Sequence, residues 1–275
     1  MTPIHLTDPD DPRVSDFRRL NDTAFRRSVE APGPFHKGIF IVEGWLAAQR
    51  LGRSRYGARA VLVDEARLER AAEQLGHVRA PVFAAPRDLL DQIVGFPLHR
   101  GVVASADRGL AVLASTVIGR GRNLVVCEGI NDAENLGSVI RNAAALGGDG
   151  LLVDATTCDP LARRTVRVSV GWALRLPFAR LALADGLSAL HESGVTTVAL
   201  TPRRDGVDID EVVQRKLLGD RVAVILGAEG HGLSEATIDA ATIAVRIPMS
   251  TEVDSLNVSA AAAVAMHRLF TLLQR

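Results

Sequence analysis

Three short runs place polar side chains directly after apolar, strand-like stretches, and their residue types bound the chemistry they can do. The first is EGINDAENLGSVIRNAAALGG, 128–148. Leu136, Val139, Ile140, Ala143 and Ala144 recur at helical spacing, which predicts one buried stripe. Asn135 stands where an N-cap belongs, and Gly147-Gly148 where the helix should stop. Arg141 falls one residue past the stripe. It is either a solvated helix arginine or a cation offered at the strand-end side of a sheet. The second run, VAVILGAEGHGLS (222–234), is a glycine-rich turn after a strand, but its spacing is GxxGxG rather than GxGxxG. Glu229 inside that turn would oppose a pyrophosphate, because phosphate loops work by presenting bare N–H groups to anions. NAD, FAD and ATP are therefore disfavoured, and a cofactor that is not polyanionic is suited. The third run, 246–273, leaves a strand at IPM and passes through Ser255, Leu256 and Asn257 into an apolar helix. Ser255 or Asn257 could be no more than the cap of that helix. None of the seven histidines lies near Ser255 in sequence, which gives a Ser-His-Asp hydrolase no support. No His/carboxylate cluster has metal-ligand spacing, so no metal is expected.

A strand–helix alternation must position these runs. In the second half, NLVVCEG (123–129), GLLVDA (150–155), TTVALTP (196–202), RVAVILG (221–227) and IAVRIPM (243–249) read as short buried strands separated by helices. That pattern predicts a parallel sheet covered on both faces, with ligands beyond the carboxyl ends of the strands. The first half carries a smaller α/β pattern: strands at 38–44, 60–64, 81–85 and 101–107, and helices near 45–51, 65–75 and 87–93. Residues 14–29 read as one short basic helix. The predicted division is an extension over 1–34, a smaller α/β domain over 35–112, a linker over 113–121 and a larger α/β domain over 122–275.

Over the 275 residues, 32 Lys+Arg balance 32 Asp+Glu, so bulk charge gives no polyanion signature and leaves only local basic faces to consider. Lys37 and Lys216 are the only lysines, so nearly every cation is an arginine, as genome composition or selection for bidentate phosphate contacts would produce. Arg50, Arg53, Arg55 and Arg59 fall together with no acid between Gly44 and Val63, and Arg163, Arg164 and Arg167 form a second cluster. Each is either a solvated surface or a phosphate-docking patch, and Arg50, Arg53 and Arg55 would be the contacts to the phosphates of any nucleic-acid partner. Two isolated cysteines, Cys127 and Cys158, form no disulfide framework. The acidic, Pro-rich start carries no apolar signal segment, and the longest apolar run is broken by His267 and Arg268. A cytoplasmic protein without a membrane segment is expected.

NLGSVIR (135–141), LGAEGHGLS (226–234) and IPM with SLNVS (247–259) together resemble the three ordered motifs of the SpoU/TrmH family, over roughly 122–274. More weakly, FIVEG (40–44) and HRGVVA (99–104) resemble that family's ribosomal-protein-like substrate-binding domain. The resemblance implies an α/β catalytic domain with a deep trefoil knot, a homodimer, and S-adenosylmethionine as cofactor. It also implies methylation of a ribose 2′-hydroxyl in RNA. The extra first domain points to ribosomal RNA ahead of tRNA, and a non-catalytic RNA-binding relative is the alternative of another class. Carried over position by position, Asn135, Arg141, Glu229, Ser255 and Asn257 are the catalytic set, and Thr201, Gly227, Ile247 and Leu256 the cofactor contacts. Thr251 departs from the pattern, standing where these proteins usually have glycine.

Overall fold

The computed structural model describes residues 2–31, 38–250, 252–253 and 255–270. The chain divides into two compact units: Met1–Ala111 with Leu161–Arg175, and Val112–Pro160 with Leu176–Arg275. Among the described residues no helix is long and apolar enough to cross a membrane, and no group of three or more His, Cys, Asp or Glu could hold a metal ion.

The first unit begins with β1 (Ile4–His5), α1 (Thr23–Glu30), β2 (Ile39–Glu43), α2 (Trp45–Leu51) and β3 (Ala58–Asp64). It continues through α3 (Leu68–Leu75), β4 (Val82–Ala85), α4 (Arg87–Val94) and β5 (Val102–Asp107). The sheet order is β1-β4-β3-β5-β2, and β5 runs antiparallel to both its neighbours. The four expected strands form, and β1 joins them at the edge. Residues 14–29 are not one helix. A 3-10 turn (Pro12–Phe17) precedes α1, Arg19 takes a left-handed backbone at φ 48°, and Asp22 starts α1 by accepting from the Phe25 amide. Nor do the first residues stand apart as an extension. Val14, Phe17 and Leu20 pack with Leu6, Ile41, Leu62 and Phe83, at roughly 1.5–3 kcal/mol for each large side chain buried.

The second unit opens with α5 (Ala114–Arg120), β6 (Asn123–Glu128), α6 (Ala133–Ala145) and β7 (Gly150–Val153). The expected linker is thus mostly α5, because Val117 and Ile118 have a core to enter. The chain then contributes α7 (Arg163–Val168) to the first unit. It resumes with β8 (Phe178–Arg180), α8 (Leu183–Glu192), β9 (Thr196–Leu200), β10 (Val207–Asp208) and α9 (Ile209–Gln214). β11 (Val222–Gly227), α10 (Glu235–Ala240), β12 (Ile243–Arg246) and α11 (Val258–Leu269) complete it. The seven strands lie in the order β10-β12-β9-β11-β6-β7-β8, and every neighbouring pair is parallel. After β6 the chain steps outward to β7 and β8; after β11 it steps the other way to β12. Ligands of parallel sheets sit beyond the carboxyl ends of the strands, and here the open ends are those of β9, β11 and β12. α6 buries Leu136, Val139, Ile140 and Ala143 as its stripe predicts, and α11 packs along it.

The domain boundary placed at 113–121 describes the first division of the chain but misses the return of 161–175. α7 packs on β2, and Glu43 at the end of β2 is buried between Arg163 at 3.5 Å and Arg167 at 3.6 Å. Arg163 also lies over the Phe96 ring at 4.8 Å. Burial holds the Arg163 guanidinium below its usual pKa range, opposed by the Glu43 carboxylate. These two arginines therefore serve the fold of the first unit. Removing the buried shared acid leaves two half-buried cations without their partner, so Glu43→Gln should cost about 1–3 kcal/mol. Hydrogen exchange checks this: amide protection across 163–170 should drop in the variant while β6 and β11 keep theirs.

Candidate active site

The open strand ends hold a cavity of about 380 Å³. β9 supplies Leu200 and, just beyond it, Thr201. β11 supplies Leu226 and Gly227, the segment after β12 supplies Ile247 and Met249, and the approach to α11 supplies Ser255 and Leu256. All four expected cofactor contacts, Thr201, Gly227, Ile247 and Leu256, thus line one space with Glu229 and Ser255. Leu200 and Leu226 come from the strands, while Ile247, Met249, Leu256 and the polar groups come from the loops. That is how a parallel sheet builds a selective cleft.

Gly227 has a steric reason. A Cβ there would lie 2.3 Å from the carbonyl carbon of Gly232 and 2.4 Å from the Leu233 nitrogen. The loop after β11 folds straight back on the strand, closed by Gly232 N–H donating to the Ala228 carbonyl at 3.0 Å, with Gly232 at φ 70°. Ser234 then caps α10, and its amide donates to the Glu128 carboxylate at the end of β6 at 3.2 Å.

Asn257 gathers the other motif residues. Its Oδ1 accepts from the Ser259 amide at 2.9 Å, which makes it the N-cap of α11. Its Nδ2 donates to Glu229 Oε1 at 2.6 Å and to Asn135 Oδ1 at 3.0 Å. Three of the five expected catalytic residues, from three separate runs, thus meet at one side-chain amide. Asn135 is not the cap of α6. Asp132 holds that place, accepting from the Glu134 and Asn135 amides, which frees the Asn135 side chain to face α11. Two turns on, Asn142 donates to the Ser259 carbonyl at 2.9 Å and fixes α11 at a second point.

Arg141 stands apart from this cluster. It is exposed, makes no hydrogen bond or ion pair with the described residues, and does not line the cavity. Six residues beyond Asn135, it projects about 120° away around the helix. Thr251 lies outside the described residues.

Two acids unremarked in the sequence anchor loops beyond the strand ends, outside the cavity lining. Glu128 anchors the loop before α10, and Asp154, only 9% exposed, accepts from the amides of Gly129 at 3.1 Å and Thr157 at 2.8 Å and from both the Thr156 and Thr157 hydroxyls. Burial would raise the Asp154 pKa, but these donors outweigh it and hold the carboxyl below the usual carboxylate range. Asp154 therefore stabilises the loop fully above the ordinary carboxylate pKa and less as the pH falls through its own lowered value. Its signal was an acid ending an apolar strand, LLVD. At the cavity rim, Arg203 spans two loops, donating to Asp205 at 3.0 and 2.6 Å and to Glu235 at 2.5 Å. The hydrogen bonds to Asp205 and its charge hold the Arg203 pKa above the usual guanidinium range.

The arginines expected to dock RNA are distributed differently. Arg50 lies over the Trp172 ring at 4.6 Å and donates to the Val170 carbonyl. Arg55 lies over Tyr56 at 4.6 Å and donates to the Leu110 carbonyl at 2.9 Å, while Arg59 pairs with Asp16 and Asp107. Of the four, Arg53 alone extends an exposed side chain with no hydrogen bond or ion pair among the described residues. The acids missing from the local sequence arrive from elsewhere in the fold.

The acid limb of unfolding provides the check on Asp154. In Asp154→Asn, stability should fall less steeply with decreasing pH below the carboxylate range, and the variant should be less stable than the parent at pH 7 by about 2 kcal/mol.

The chain also shares its sequence and fold with known proteins. The SpoU rRNA methylase family model matches residues 122–267. An uncharacterized tRNA/rRNA methyltransferase of Mycobacterium tuberculosis is 41% identical over 95% of this chain and 90% of its own. The 23S rRNA (guanosine-2′-O-)-methyltransferase RlmB of Vibrio cholerae is 35% identical over 52% of this chain and 56% of its own. The crystal structure of an AdoMet-bound rRNA methyltransferase from Sinorhizobium meliloti superposes with a TM-score of 0.78, covering 96% of both chains at 22% identity, a likeness of fold. With a family match across residues 122–267 and a relative 41% identical over nearly the whole chain, this chain belongs to the SpoU rRNA methylase family, RNA methyltransferases that use S-adenosylmethionine.

Proposed function

We propose that this protein methylates a ribose 2′-hydroxyl of RNA, ribosomal RNA in the first instance, with S-adenosylmethionine as methyl donor. The observation that carries the reading is the cavity itself: apolar walls at Leu200, Leu226, Ile247 and Leu256, a loop that folds back against Gly227 where no Cβ fits, and a carboxylate at Glu229. Such a slot accepts an adenine and a cationic sulfonium and repels a pyrophosphate. Bound there, the cofactor supplies an electrophilic methyl group.

The protein's own part is positioning and charge. Thr201, Gly227, Ile247 and Leu256 hold the cofactor, and Ser255 lies at the same wall. Glu229, Asn257 and Asn135 hold one another, so the loop after β11, the start of α11 and the start of α6 keep a fixed relation. Arg141 receives the RNA. Its guanidinium stays protonated, so it serves by binding a neighbouring phosphate and steadying the negative charge that develops on the ribose oxygen. The hydroxyl proton leaves to solvent. Alignment of hydroxyl and methyl group supplies much of the rate. The trefoil knot and a homodimer formed through α11 belong to the same reading, and Val264 on that helix is partly exposed.

Arg141→Ala should lower single-turnover methylation by about 10²-fold or more, with S-adenosylmethionine affinity unchanged by calorimetry. Near-parental methylation would remove Arg141 from the chemistry. Gly227→Ala should abolish cofactor binding in the same titration, because the loop cannot close over a methyl group. For the substrate, incubation with labelled S-adenosylmethionine and total unmodified RNA, then size separation, should place the label in ribosomal RNA. Label in tRNA overturns that choice.

A further inference from the structure

The first unit contains a second cavity, of about 310 Å³, between the end of β2, the start of α2, α3 and α7. Four arginines line it: Arg67 and Arg70 beside and on α3, Arg100 before β5, and Arg167 on α7. The one acid in the lining is Glu43, and it is already paired with Arg163 and Arg167. Arg70 lies over the Trp45 ring at 4.5 Å and donates to Gln74 at 3.3 Å. Arg67 and Arg100 have no ion pair among the described residues. Like charges gathered this way repel, the more so where water is partly excluded, and Glu43 is the only acid in the lining to offset them.

The cavity is built rather than incidental. Gly44 at φ 102° and Gly101 at φ 66° are left-handed positions that favour glycine, and their missing side chains make room for the arginines. A Cβ at Gly44 would lie 3.0 Å from Arg100 Nη1, and one at Gly101 would lie 2.8 Å from Arg67 Nε. Trp45 Nε1 donates to the Arg100 carbonyl at 2.8 Å and fixes the backbone from which that arginine extends. At the rim, Leu46 is 52% exposed, an apolar surface suited to a sugar or base edge rather than to a free ion.

We propose that this cavity receives a backbone phosphate of the RNA substrate, gripped by Arg67 and Arg100, with Leu46 against the adjoining nucleoside. The inference rests on the reading that the substrate is RNA. It moves the docking point away from the 50–59 run, where Arg50, Arg55 and Arg59 are engaged within the protein, to guanidinium groups whose fork matches phosphate oxygens.

The test is binding of a fluorescein-labelled 40-nucleotide RNA hairpin to the full chain across a potassium chloride series. Arg67→Gln/Arg100→Gln should weaken binding roughly tenfold at low salt and flatten the slope of log K against log salt by about 1–2. S-adenosylmethionine affinity should be unchanged. Arg27→Gln/Arg79→Gln, two exposed arginines of the same unit outside the cavity, should change the slope by less than half as much. If the double variant loses its thermal unfolding transition, each single variant should flatten the slope by about 0.9. Parental affinity and slope in the cavity variants, or an equal loss in the Arg27/Arg79 pair, overturns the docking site and leaves the enzymatic reading intact. Parental protein that binds S-adenosylmethionine but no hairpin at low salt overturns the RNA reading, and the docking site with it.

Discussion

At the end of β11 two backbones pass so closely that no side chain fits between them, and the second unit's cleft depends on that approach. Gly227 faces Gly232 and Leu233 at distances a Cβ would violate. The turn can therefore fold back on its own strand, which brings Glu229 to the cavity and sets Ser234 to cap α10. The parallel pairing of β11 with β6 places Gly227 opposite Glu128, whose carboxylate takes the Ser234 amide. Sheet register, turn and helix cap thus reinforce one another around one missing methyl group.

The second organising contact is the Asn257 side chain. A primary amide has an acceptor and two donor hydrogens, and here each end has a separate task. The oxygen caps α11, and the nitrogen ties Glu229 to Asn135. A carboxylate in a glycine-rich loop would otherwise wander in solvent. Held by Asn257, it becomes a fixed part of the cleft wall. The helix-capping role and the site role of this residue are one arrangement, and neither excludes the other.

The arginines show how far charge in a sequence is from charge on a surface. The 50–59 run has no acid nearby in the chain, yet Asp16, Asp107 and two backbone carbonyls occupy Arg59, Arg55 and Arg50 in the fold. Arg163 and Arg167 are drawn to the buried Glu43. Arg67 and Arg100, 33 residues apart in sequence, come together beside two glycines. Net neutrality conceals both outcomes, since it counts charges without their partners.

The local sequence was sufficient for the parallel α/β class, the apolar stripe of α6 and the five main strands of the second unit, each of which rests on short-range period and polar residues at strand ends. The cleft residues were named only through the resemblance of three ordered motifs to a known family. The local sequence did not separate cap from site at Asn135, because Asp132 three residues earlier is an equally good cap and only the packing of α11 shows which asparagine is free. It placed the division of the chain at one linker, because the return of α7 to β2 is driven by a buried charge pair more than a hundred residues apart. The short strands β8 and β10 and the anchoring role of Asp154 were invisible for the same reason, being defined by neighbours rather than by their own residues. Types and order of chemical groups are a property of the chain; which of them are satisfied internally, and which are left for a ligand, is decided only when distant segments share one space.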